Sequence, residues 1–134
     1  MMECIRKILF FSVCFVVSVG SSVLATQGFD VHNDTAYPIV VEVSFQYGAH
    51  NKQNRTVSIA PNTLRAIQPS GQEKPGIIEI HTIRIQLPNN QVQLLSVEQQ
   101  FPYREIVVGA CRAHLTVMMQ SQNSVGYRVF FACQ

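Results

Sequence analysis

The sequence predicts an all-β protein: an antiparallel β-sandwich, or a small barrel, of about 7–9 strands with one disulfide. Three observations carry that reading. Beyond residue 25, apolar and polar residues alternate at period two through most of the chain. Pro, Gly and Asn clusters interrupt these runs at roughly 8–12-residue spacing. No segment holds a strong helical period for three turns.

The chain has 134 residues, enough for one domain, and a net charge of +2. That charge is too small for the basic stripe expected of a nucleic-acid binder, and no block of like charge marks an interaction tail. The polar surface is rich in amides, with 13 Gln and 7 Asn beyond residue 25.

The first 25 residues differ in kind. Arg6 and Lys7 precede an apolar run of 12 positions, Ile8 to Val19, broken only by Ser12 and Ser18. Gly20, Ser21 and Ser22 follow, and Val23 and Ala25 place small residues three positions and one position before Thr26. This is the layout of a cleavable secretory signal over 1–25, with a single mature domain over 26–134. The run is short for a membrane span, which needs about 20 residues. Cys14 lies inside the run rather than after it, which argues against a lipid anchor. The reading therefore places the protein in the periplasm or outside the cell, with no stable membrane anchor after cleavage.

Two of the four cysteines, Cys4 and Cys14, leave with the signal. Cys111 and Cys133 remain. An even count in an exported chain favours a disulfide over a catalytic thiol.

Strands follow in order. Phe29 and Val31 alternate with Asp30 and His32, and Asn33-Asp34-Thr35 reads as a turn. Ile39, Val41, Val43, Phe45 and Tyr47 form the clearest inward stripe. Gly48 to Arg55 (GAHNKQNR) reads as a polar surface loop. Val57 and Ile59 resume the alternation, and Leu64 to Ile67 is a shorter strand. Ser70 to Gly76 reads as the longest polar loop. Gly76 to Leu87 is rich in β-branched residues without one clear inward face, which suggests burial on both sides or a bulge near His81. Pro88-Asn89-Asn90 is a turn. Gln91 to Val97 reads as a returning strand, although Val92, Leu95 and Gln99 also fit one helical face. Ile106 to Val108 reads as a short strand.

The C-terminal hairpin carries the sharpest expectation. Pairing Gln120 with Ser124 sets Met119 opposite Val125, Val117 opposite Tyr127, Leu115 opposite Val129 and Ala113 opposite Phe131. The same register sets Cys111 opposite Cys133, close enough to bridge. A one-residue slip would turn every apolar side chain to the wrong face. On the outward side His114 meets Phe130, Thr116 meets Arg128 and Met118 meets Gly126. Apolar residues there predict a cover by another strand or by a partner, most simply the protein's own second sheet.

Chemical signals are sparse. No nucleophile elbow, zinc-protease helix motif, phosphate loop or dinucleotide fingerprint occurs. His32 and His114 alternate outward and His50 lies in a polar loop, so solvent is their expected environment. His81, in the most apolar strand, reads as a satisfied core or edge histidine. No two histidines have the spacing of a shared metal site, so neither a metal nor a cofactor is expected. The seven carboxylates beyond residue 25 form no close pair in sequence. Sequons stand at Asn33-Asp34-Thr35 and Asn54-Arg55-Thr56. Phe101-Pro102-Tyr103-Arg104 combines two aromatics and an arginine, residue types enriched at interface hot spots. Phe101, Tyr103 and Arg104 are thus the candidate interaction residues, unless the two aromatics instead close the open end of the sandwich.

The functional expectation is an exported, non-catalytic binding module whose partner is another protein. One alternative is a structural or assembly subunit of a cell-surface or secretion machine, joined through an edge strand. Another is a small secreted hydrolase, which needs a histidine beside a serine or carboxylate in a cleft, or an enzyme inhibitor.

Overall fold

The computed structural model describes residues 29–71, 73–107 and 109–133. The signal segment 1–25 and the expected new N-terminus, Thr26, lie outside them. Eight strands follow one another: β1 Phe29–Asp34, β2 Ile39–Tyr47, β3 Asn51–Ile59, β4 Thr63–Ile67, β5 Ile77–Leu87, β6 Gln91–Pro102, β7 Cys111–Ser121 and β8 Ser124–Cys133. A single helical turn, α1 Tyr103–Val107, joins β6 to β7.

Two four-stranded sheets pack face to face, in the orders β4-β1-β7-β8 and β3-β2-β5-β6. All neighbours are antiparallel except β1 and β7, which run parallel with Asp30 beside His114 and Val31 beside Leu115. The three hairpins, β2–β3, β5–β6 and β7–β8, each stay within one sheet, whereas the other connections cross between sheets.

The core is the pair of inner faces. Phe29, Val31, Ile39, Val41, Val43, Phe45, Ile78, Ile83, Ile85, Leu115 and Val117 are all fully buried. Each such side chain contributes about 1.5–3 kcal/mol through burial. Along the β3/β4 side the sheets are laced by polar groups: Arg55 donates to the Gln68 carbonyl, Arg65 Nη1 to Ser58 O at 2.8 Å and Gln53 Nε2 to Ser70 Oγ at 3.0 Å. Along the β6/β8 side Phe101 stacks on Phe131 at 5.2 Å, and Val125 N donates to Gln93 Oε1 at 3.2 Å.

Turn chemistry agrees with turn geometry. Asn89 and Asn90 have φ of 64° and 60°, the two left-handed positions of a type I′ hairpin turn between β5 and β6. Asn33 proves to be a buried tie rather than an open turn residue. Its Nδ2 donates to the carbonyls of Tyr37, Ile59 and Ala60 at 2.8, 3.2 and 3.0 Å. Its Oδ1 accepts from Thr35 N and Thr35 Oγ1 at 3.2 and 2.7 Å. One side chain therefore joins the β1–β2 connection to the end of β3, and β1 extends to Asp34 with the bend at 35–37.

The terminal hairpin has the expected register from Cys111↔Cys133 to Met119↔Val125, and Cys111 and Cys133 are disulfide-bonded. The register departs at the tip. Ser121, not Gln120, pairs with Ser124, and Gln120 bulges out. The Gln120 side chain lies over Gly126, where an added Cβ would collide with it.

Four other expectations are corrected. Asn51 to Arg55 is not loop: β3 starts at Asn51, opposite Tyr47. An edge strand needs little apolar content where its outer face meets water, so composition disguised it. Ile106 to Val108 is not a strand: Ile106 and Val107 belong to α1. Pro102, lacking an N–H, ends the ladder. Tyr103 N then donates to Gly76 O at 2.9 Å, and three-residue spacing buries Tyr103 and Ile106 together. The returning antiparallel strand from Gln91 is present as expected, but its end is not Val97: β6 runs five residues further, to Pro102. The outward face of the β7–β8 hairpin is not covered by the second sheet, and Phe130 stays 54% exposed.

Candidate functional site

The outward face of β3-β2-β5-β6 holds a polar network of side chains, and its origin lies in the parity of β5. Ile78 and Ile80 point inward on even numbers, and Ile83, Ile85 and Leu87 on odd ones. A regular strand cannot bury both sets. A bulge at His81 resolves the conflict. Thr82 pairs with Glu42, Ile80 pairs with Val43, and His81 is skipped. The ladder to β6 skips the same residue, passing from Ile80↔Gln99 to Thr82↔Ser96 and leaving Val97 and Glu98 opposite His81. Glu98 takes φ of 50°, a left-handed conformation uncommon for a residue with a Cβ. The paired irregularities put His81 and Thr82 on the same face and lift Glu98 beside them.

His81 is consequently not a core residue; 27% of its side chain is exposed. Its Nε2 lies 2.5 Å from Ser44 Oγ and 3.6 Å from Glu79 Oε1, and its Nδ1 lies 3.7 Å from Glu98 Oε1. Ser44 sits beneath it, 1% exposed on β2, and its hydroxyl reaches Glu79 Oε1 at 3.3 Å. Glu79 also accepts from Gln100 Nε2 at 2.7 Å and Lys52 Nζ at 3.1 Å. The Gln100 hydrogen bond, followed by that of Lys52 and the nearby positive charge, holds the Glu79 carboxyl below its ordinary range despite partial desolvation. Glu42 accepts from Thr82 Oγ1 at 3.3 Å. Together Glu42, Lys52, Asn54, His81, Thr82 and Glu98 line an open depression of about 490 Å³.

Carboxylates distant in sequence are thus neighbours in space. Glu79 and Glu98 flank one imidazole because β5 and β6 form a hairpin. The parity switch in β5 was the one signal in the sequence that pointed here. Nothing local marked Ser44, Lys52 or Glu98.

The residues singled out from sequence lie elsewhere. Phe101 and Tyr103 are each 4% exposed and belong to the core, closing the open side and end of the sandwich. Arg104 alone of the three is exposed, and with Tyr103 it borders a second, smaller cleft. His32 and His114 do face outward, half-buried on the other sheet, and His50 is exposed. Asn33 of the first sequon is fully buried, whereas Asn54 of the second is exposed at the rim of the His81 depression.

Among the described residues no group of three or more His, Cys, Asp or Glu is placed to hold a metal ion, and no helix is long and apolar enough to cross a membrane. The Cys111–Cys133 bond is of the kind that persists in an oxidising compartment. No protein-family model, curated protein or solved structure matches this chain.

Proposed function

We propose that the protein is an exported binding module that recognises another protein through the outward face of β3-β2-β5-β6. The observation that carries this reading is the paired bulge at His81 and Glu98. Irregular ladders give up regular pairing and persist where they aim particular side chains. Here they aim an imidazole and a carboxylate into an open depression, with Ser44 and Glu79 fixing the ring from below. A pre-positioned polar patch loses less entropy on binding than a mobile one. Export is supported by the signal layout of residues 1–25 and by the single disulfide.

The test is affinity capture from the producing cell's exported fraction. The bait is the mature protein, beside a Glu42→Lys/Glu98→Lys double variant and an Arg128→Glu variant on the opposite sheet. A partner retained by Arg128→Glu and lost by the double variant supports this face. A partner lost only by Arg128→Glu overturns it.

A serine-hydrolase reading has one observation in its favour: Ser44, His81 and Glu98 stand in the order of nucleophile, base and orienting acid. The burial of Ser44 argues for a different role, since an attacking oxygen must reach substrate. In the binding reading its hydroxyl holds the imidazole in place. Hydrolysis of a nitrophenyl ester that disappears in Ser44→Ala would establish the enzyme instead.

A further inference from the structure

At the end of the molecule away from the β5–β6 turn, a cleft of about 300 Å³ is lined by Lys74, Pro75, Tyr103, Arg104 and Val107. We propose that this cleft is a second binding site, independent of the His81 face, that takes a carboxylate carried on a short apolar body.

Its walls are apolar and fixed. Pro75 and Tyr103 are buried and Val107 is half-buried. Gly76 pins the two sides together: its N–H donates to Gln46 O at 2.9 Å, and its carbonyl accepts from Tyr103 N at 2.9 Å. The loop and α1 are therefore held to β2 and to each other without a ligand.

The mouth is cationic. Lys74 and Arg104 are exposed, and among the described residues neither side chain has a hydrogen-bond or ion-pair partner. Glu73, beside Lys74 in the chain, lines a separate depression with Tyr47, Asn51 and Gln53. Two cations beside an apolar wall complement an anion with an apolar tail, and the exposed carboxylates next to them in the chain, Glu73 and Glu105, do not line the cleft. The guanidinium fork suits a carboxylate in particular. The volume is at the lower end for ligand sites, which favours a small apolar body.

The probes are 4-methylpentanoate, its neutral isostere 4-methylpentanamide, and N-acetylleucine, titrated into the mature protein and followed by amide chemical shifts. The acid should give saturable shifts at Arg104 and Val107, and the amide should bind about tenfold more weakly. Lys74→Gln and Arg104→Gln should each weaken the acid, and the double variant should abolish the shifts, while all three keep the wild-type melting temperature. N-acetylleucine binding as well as the simple acid would identify the source as a polypeptide C-terminus; binding by the simple acid alone would identify a free small acid. Equal binding of acid and amide, shifts that map elsewhere, or an Arg104→Gln titration identical to wild type would overturn the proposal. A Glu42→Lys/Glu98→Lys variant should bind the acid normally, so failure here and failure of the His81 face remain separate results.

Discussion

The outward faces of the two sheets begin from similar material and end differently. Each carries a histidine beside a carboxylate. On β4-β1-β7-β8, His114 stands directly opposite Asp30 across the parallel β1–β7 ladder. That ladder is regular, and the pair stays an ordinary neighbour contact. Burial raises the Asp30 carboxyl above its usual value, and the positive groups of His114 and Arg112 oppose the rise only in part. On β3-β2-β5-β6 the bulge adds an outward position, so His81 gains Ser44 and Glu79 below it and Glu98 beside it. The carboxylate there, Glu79, is stabilised in its charged form rather than penalised. The same residue types yield a network on one face and an isolated contact on the other, and the difference is one extra residue in a ladder.

The largest expected effect tests what the two faces share. Val41 is fully buried between them, so Val41→Asp places an unpaired carboxylate in the common core. The cost is several kcal/mol, against a total stability of about 5–15 kcal/mol. The variant should show no cooperative thermal transition by circular dichroism.

Next in size is the disulfide, which belongs to the β4-β1-β7-β8 sheet alone. The two cysteines are 22 residues apart, and the chain-entropy relation gives roughly 3 kcal/mol for such a loop. Cys111→Ser should lower the melting temperature, and the Cys111→Ser/Cys133→Ser double variant should lose little more. The His81 ring resonances should not move in either. Thiol titration of the native, unreduced protein should find neither Cys111 nor Cys133 free.

A smaller effect separates the two histidine environments. Ser44→Ala removes the hydroxyl under His81, and a lost hydrogen bond of this kind costs about 1 kcal/mol. The His81 ring signals should shift and broaden in the NMR spectrum. Thr116→Ala, the matching change beside His32 on the regular face, should stay within about 0.5 kcal/mol by urea unfolding.

The smallest effects come from acid titration and have opposite signs. Glu79 is lowered in the fold, so its contribution is complete above the ordinary value of 4.5 and is lost as the pH falls through the folded value. Glu79→Gln should flatten that acid loss. Asp30 is raised above 3.8, so the folded state binds its proton more readily than the unfolded chain does. Its linkage makes stability rise as the pH falls through that window. Asp30→Asn should therefore be neutral or mildly stabilising at neutral pH. Urea midpoints measured between about pH 3 and 7 check both. Slopes of the same sign for the two variants would break the comparison.

Much of this architecture was legible in the residues because strand periodicity is local. Period two in Ile39–Tyr47 and in the two halves of the terminal hairpin determines which side chains enter the core. Opposed apolar stripes in turn determined the Cys111–Cys133 register. The unclear inward face of Ile77–Leu87 admitted two readings, burial on both sides or a bulge near His81, and the bulge is the one present. Tertiary structure alone decided the rest. A short Ile-Val run became the end of a helical turn because Pro102 stops the ladder and Tyr103 is needed to close the core. Asn51–Arg55 became a strand because β2 offered it a partner. Phe101 and Tyr103 went inside because the open side and end of the sandwich had to be filled. The parallel β1–β7 pair and the company of His81 arise from residues on different strands: Ser44 and Glu79 meet across 35 positions of chain, and Glu98 arrives on the returning strand of the hairpin. Periodicity states which way a side chain points, but only sheet order and register state what it meets there.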